Sequence, residues 1–137
     1  MNVLFIDKGN VARSRMAEIF FNNLSKKNKG ASAGIDTTKW RGKILSEFAE
    51  PLVKCMIDEG YDVSKYKVIQ LNKRMVDDSN LIISFESQNE LPDYVKNTSK
   101  KLVIWRIDNP KEKSYEFHCK VRDKIKKLIT TLVKEIG

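Results

Sequence analysis

The chain has 137 residues, 41% of them hydrophobic and 32% charged, with a formal net charge of +8. That length suits one compact domain spanning 1–137 with a core of its own, and no apolar run approaches a membrane span. Two cysteines and one histidine make neither a disulfide framework nor a zinc centre, so no metal and no cofactor is expected.

In chain order, Asn2–Ile6 is apolar from Val3 onward, as a central parallel strand buried on both faces should be. The loop 7–14 follows. A helix is predicted from Ser14 to about Lys26, because Met16, Ala17, Phe20, Phe21 and Leu24 recur at three- and four-residue spacing. Ser14 has the type and place of its N-cap. Ala31–Ala33 reads as a short second strand. A helix from about Phe48 to Glu59 puts Leu52, Val53, Met56 and Ile57 on one face, with Pro51 in its first turn and Gly60 ending it. Leu81–Phe85 and Leu102–Ile107 are the third and fourth strands. A last helix, about Tyr115 to Ile136, repeats Phe117, Val121, Ile125, Leu128, Ile129, Leu132 and Ile136. The alternation predicts an α/β fold: a small doubly wound domain, a four-stranded parallel sheet with helices on both faces. The first loop then lies at the carboxyl ends of the strands, where such sheets bind ligands.

That loop reads Asp7-Lys8-Gly9-Asn10-Val11-Ala12-Arg13-Ser14. Strand, short glycine-containing loop and helix make a cradle for a phosphate-sized anion, since free amides and the helix dipole both favour negative charge there. Arg13 adds a bidentate fork. The expected partner is phosphate or another oxyanion, carried by a phosphorylated protein or a small phosphomonoester. Basic residues gather at Lys26-Lys27-Asn28-Lys29, at Lys100-Lys101 and along the last helix, where Asp123 and Glu135 interrupt them. No aromatics alternate with them, so a solvated face is expected rather than a nucleic-acid surface. The charge still draws anions toward the molecule. Cys55 falls in an apolar helical pattern, and adjacent His118 and Cys119 diverge by about 100° on their helix and do not chelate together. Met1-Asn2 leads straight into a strand rather than a secretory signal, and a cytoplasmic setting is expected.

The opening VLFIDKGNVARSRMAE resembles that of the low-molecular-weight protein-tyrosine phosphatase and arsenate reductase family, whose signature is Cys, five residues, Arg, then Ser or Thr. Ser32-Ala33-Gly34, Glu59-Gly60-Tyr61-Asp62-Val63-Ser64, Asp78–Phe85, Trp105-Arg106-Ile107-Asp108-Asn109-Pro110 and Val121–Ile125 fall in the family's order. The resemblance implies a phosphate-binding loop of Lys8, Gly9, Asn10, Val11, Ala12, Arg13 and Ser14. It also implies support by Asn10, Ser14 and Ser32, and a pocket rim at Trp40 and Arg41. Asp7 stands where the family has its nucleophilic cysteine. Asn109 stands where it has the general acid, with Asp108 one residue earlier as a substitute.

Family chemistry needs a thiolate, an anion cradle and a proton donor. Here the cradle remains without the thiol, and Asp7 is expected to occupy part of the anion site, accepting loop amides or the Arg13 guanidinium. The arsenate reductases relay oxidation through cysteines after the third strand, and Glu86–Leu91 has none, which places the phosphatase branch nearer. Lys111-Glu112-Lys113 replace the aromatics that grip a phosphotyrosine ring. The expected protein is phosphatase-like, with an oxyanion loop and no ordinary catalysis. Two alternatives stand beside it: an altered or trap form of a working cysteine phosphatase, and a basic, nucleic-acid-associated scaffold on the same fold.

Overall fold

The computed structural model describes residues 1–137. Strand β1 (Asn2–Asp7) sends alternate side chains to opposite faces: Val3 and Phe5 enter one core, Leu4 and Ile6 the other. Burial on both sides is why the run is apolar throughout. Strands β2 (Lys29–Gly34), β3 (Leu81–Ser84) and β4 (Lys101–Ile104) join it in one parallel sheet of order β2-β1-β3-β4. Five helices follow the strands: α1 (Arg13–Leu24), α2 (Glu50–Ile57), α3 (Lys73–Asp77), α4 (Asp93–Lys96) and α5 (Tyr115–Ile136).

Helices α1, α2 and α5 cover the Phe5 face, packing Met16, Phe20, Phe21, Leu52, Met56, Ile125 and Ile129 against it. Val76 of α3 and Val95 of α4 cover the Leu4 and Ile6 face with Leu71 and Leu91. The sheet is thus four-stranded, parallel and covered on both faces, as the alternation of apolar runs predicted. No helix is long and apolar enough to cross a membrane.

Several expectations need correcting. Helix α1 starts at Arg13 and ends at Leu24, and Leu24 is 40% exposed rather than on the buried stripe. Helix α2 is shorter than Phe48–Glu59, because a 3-10 turn at Leu45–Glu47 precedes it, and Ile57 is 51% exposed. Strand β4 stops at Ile104 rather than Ile107. Its ladder partner β3 ends at Ser84, whose carbonyl still accepts the Trp105 amide at 2.8 Å.

Cys55 is fully buried in α2, and its Sγ donates to the Leu52 carbonyl at 3.2 Å. Burial pushes its thiol up to about 12. Because the thiolate is the reactive form, only a trace of it exists at about pH 8. In the folded protein a disulfide reagent should therefore titrate no more than one of the two thiols, and both after denaturation. Two fast-reacting thiols in the native state would contradict this packing.

Candidate functional site

Strand β1 lies between β2 and β3, so the chain leaves it in opposite directions on its two sides and a crevice opens at its carboxyl end. Residues 8–12 fill that crevice. The loop is pressed against the end of β2: a Cβ built on Gly34 would lie 2.6 Å from both Asn10 N and Gly9 C. The amides of Ile35 and Asp36 donate to the carbonyls of Asp7 and Lys8, each at 2.9 Å. Asn10 takes a left-handed backbone, φ 57°, which an asparagine tolerates better than most residues. Its Nδ2 donates to Ser14 Oγ and Ser32 Oγ, both at 2.9 Å. Its Oδ1 accepts from Arg15 at 2.9 Å and from the Ile69 amide at 2.8 Å. Arg15 and Ser32 are linked in turn through Glu18 Oε1. Every side-chain hydrogen-bonding capacity of Asn10 is used, which fixes the loop's curvature.

Asp7 is 3% exposed at the base of the loop. Its Oδ1 accepts the Asn10 amide at 2.7 Å, and its Oδ2 accepts the Ser14 amide at 2.9 Å. The expected Ser14 N-cap is thereby corrected. The cap residue is Ala12, with no side-chain bond, and Ser14 lies one residue inside α1. A carboxylate arriving from the strand caps the helix instead, and it also meets the helix dipole favourably. The amides of Lys8, Gly9, Val11, Ala12 and Arg13 donate to no acceptor in the chain.

Of the two arrangements expected for Asp7, the amides hold it and Arg13 does not. The Arg13 guanidinium is 4% exposed and donates to the carbonyls of Phe85 (3.0 Å) and Ile107 (3.1 Å) and to Glu86 Oε2 (2.5 Å). Its Nε is buried with no acceptor in the protein. Glu86 is a site residue that sequence reasoning missed, since the stretch after β3 drew notice only for lacking cysteine.

A cavity of about 370 Å³ opens above the loop, lined by Asp7, Lys8, Gly9, Val11, Ala12, Arg13, Trp40 and Asn109 among others. Asn10, Ser14 and Ser32 lie beneath it, fully buried. Asn10 and Ser14, expected among the phosphate-binding residues, give their amides to Asp7 and stay off the cavity wall, and two more expected site residues stay off it as well. Arg41 turns to Gln70 Oε1 at 3.4 Å, and Asp108 is exposed beside the pocket. The Asn109 side chain accepts the Lys111 amide at 3.1 Å, closing a turn. Also on the wall are Lys111 and Lys113, at the positions of the family's ring-gripping aromatics, and Asp36, Lys39, Phe48 and His118, which the sequence did not point to. His118 is 7% exposed with Nδ1 at 2.9 Å from the Ser114 carbonyl. Only its place one turn into the helix that follows the 109–113 turn hinted at this position. Hydrogen bonds from the Thr38 side chain and amide hold the Asp36 carboxyl below its ordinary value.

Known proteins share this fold. An arsenate reductase of Staphylococcus aureus (strain bovine RF122 / ET3-1) is 28% identical over 127 residues, covering 90% of this chain and 89% of that protein. The structure of an arsenate reductase from Archaeoglobus fulgidus DSM 4304 superposes with a TM-score of 0.76 at 28% identity, covering 96% of this chain and 98% of that one. Vibrio vulnificus Wzb in complex with benzylphosphonate superposes with a TM-score of 0.86 over 98% of both chains, at 20% identity that speaks for the fold alone. Residues 2–137 match the family described as low molecular weight phosphotyrosine protein phosphatase, and by that match the chain belongs to this family.

Proposed function

We propose that this protein holds a phosphate-like oxyanion in the loop after β1 and does not hydrolyse phosphomonoesters by the family's cysteine chemistry. One observation carries the reading. The residue at the base of the loop is a carboxylate, clamped by the Asn10 and Ser14 amides, while five further loop amides and Arg13 Nε have no protein acceptor. Neither Cys55 nor Cys119 lines the cavity, so no thiol stands where an attack on phosphorus would start. Asn109 is on the wall but has no proton to give, and Asp108 is outside. That both positions depart from the family's pattern favours natural loss of catalysis over a trap form, which needs one change. Within the family, the absence of cysteine from Glu86–Leu91 speaks against a redox relay and for the phosphatase branch.

The Asp7 charge opposes a bound phosphate. Two unit charges about 4 Å apart interact by roughly 4 kcal/mol at an effective dielectric constant near 20. Phosphate therefore competes with a tethered carboxylate and binds weakly. Calorimetric titration with inorganic phosphate tests this. The unaltered protein should bind it, Arg13→Ala should weaken binding by about tenfold or more, and Asp7→Asn should tighten it by a similar factor. Phosphate binding that Arg13→Ala leaves unchanged would refute the loop as the site.

A further inference from the structure

Lys8, Lys39, Lys111 and Lys113 all line the cavity, and none of their ammonium groups has a carboxylate within 4.0 Å. Lys73 and Lys126, on other surfaces, do have such partners. Asp36 and Glu112 on the wall offset two of the four charges, Asp7 at the floor is clamped by loop amides, and Arg13 is balanced by Glu86. The mouth is left cationic.

The backbone and the aromatics fix where these cations sit. Trp40 stacks on Phe48 with ring centroids 4.1 Å apart and planes within 6°. Lys39 Nζ lies 4.9 Å from the same indole centroid and Lys43 Nζ 6.0 Å. The indole thus anchors ammonium groups, a cation–π arrangement, rather than offering a bare face to a ligand ring. On the facing wall, the Lys111 amide donates to Asn109 Oδ1 and the Lys113 amide to the Pro110 carbonyl at 2.9 Å. Glu112 between them is left-handed, φ 60°. A tight turn, not a loose loop, presents Lys111 and Lys113. Lys113 Nζ also lies 6.0 Å from the Phe117 ring.

We infer that this rim is a second anion subsite, and that the ligand is a phosphomonoester carrying at least one further anionic group near its phosphoryl. The inference rests on the oxyanion role proposed for the loop. The phosphoryl group enters among the loop amides, and the second charge meets Lys39, Lys111 and Lys113. A cavity of about 370 Å³ has room for both. The second charge comes either from an acidic residue flanking a phosphorylated side chain or from a second phosphate on a small molecule. Each exposed pair contributes little, but several cations acting on one ligand add up to about tenfold in affinity and quicken encounter.

Calorimetry with matched probes decides it. The probes are inorganic phosphate, a phosphotyrosine peptide flanked by glutamates, the same peptide flanked by glutamines, propyl phosphate and propane-1,3-diyl bisphosphate. The glutamate peptide should bind about tenfold more tightly than the glutamine peptide, and the gap should close in high salt and in Lys111→Ala/Lys113→Ala. A gain for the bisphosphate over propyl phosphate without one for the glutamate peptide supports the subsite and assigns it to a small molecule; a gain for the peptide alone assigns it to a protein; gains for both support the subsite for either source. Equal binding of both peptides, with no gain for the bisphosphate while inorganic phosphate still binds, overturns the subsite and leaves the loop reading intact. Failure of every probe, inorganic phosphate included, overturns the loop reading itself.

Discussion

Asp7→Cys, combined with Asn109→Asp, should confer hydrolysis of p-nitrophenyl phosphate well above that of the unaltered protein. The argument starts from what already surrounds position 7. The Asn10 and Ser14 amides clamp a carboxylate there, at the amino end of α1. Those same donors, with the helix dipole, would lower the pKa of a thiol and hold it as the attacking thiolate. The unpaired amides of Lys8, Gly9, Val11, Ala12 and Arg13 would then be free to stabilise charge on the transferring phosphoryl group. Asp7→Cys alone should therefore show turnover, because p-nitrophenolate leaves readily without a proton. The second change should add about 10²-fold or more on alkyl phosphates, whose leaving group needs the acid. Circular dichroism melts would show that each variant is folded. Turnover by the unaltered protein that disappears in Arg13→Ala would instead make Asp7 a working nucleophile. A folded Asp7→Cys variant that binds phosphate but turns nothing over would mean the cradle is not built for the transition state.

How much of this was legible beforehand depended on how local the cause was. The apolar run of β1 and the three- and four-residue spacing along α5 state their burial in the residues themselves: Val121, Ile125, Ile129 and Leu132 are buried, while Phe117, Leu128 and Ile136 are half-buried. Helices α3 and α4 are five and four residues long, and each buries a single side chain, Val76 or Val95. Such segments carry no periodicity to read, and tertiary packing makes them. Ser14 looked like a cap because caps are usually local. Here a buried carboxylate seven residues upstream takes the amide and leaves the hydroxyl to Asn10. Glu86 lies 73 residues from Arg13, so no spacing could pair them. Lys111 and Lys113 stand at the positions of the family's ring-gripping aromatics, whereas Lys39 and His118 reach the same wall only through the fold. Sequence identity to the two arsenate reductases is 28%, and Glu86–Leu91 of this chain holds no cysteine.

Gly34→Ala should cost more than any other single methyl added near the site, about 2–4 kcal/mol in a urea melt, and should abolish phosphate binding. The reason is contact, not backbone strain, since Gly34 is absent from the left-handed residues. Its new Cβ would meet Asn10 N and Gly9 C at 2.6 Å and Gly9 Cα at 2.9 Å, all backbone atoms with no rotamer to retreat into. Overpacking of this kind costs about 1–3 kcal/mol by itself. Lifting the loop to relieve it pulls Asn10 away from Ser32 and from the Ile69 amide, and each buried hydrogen bond lost adds about 1 kcal/mol. Gly9→Ala is the matched contrast. Gly9 lies in the loop itself, where a reader of the sequence would first look for an indispensable glycine. Its added Cβ meets only Val11 Cγ2, at an ordinary 3.8 Å. That variant should melt within about 0.5 kcal/mol of the unaltered protein, as contact-free substitutions do. The opposite ranking, with Gly9→Ala unfolding and Gly34→Ala silent, would mean that the loop is not seated on β2, and the geometry proposed to hold the anion would go with it.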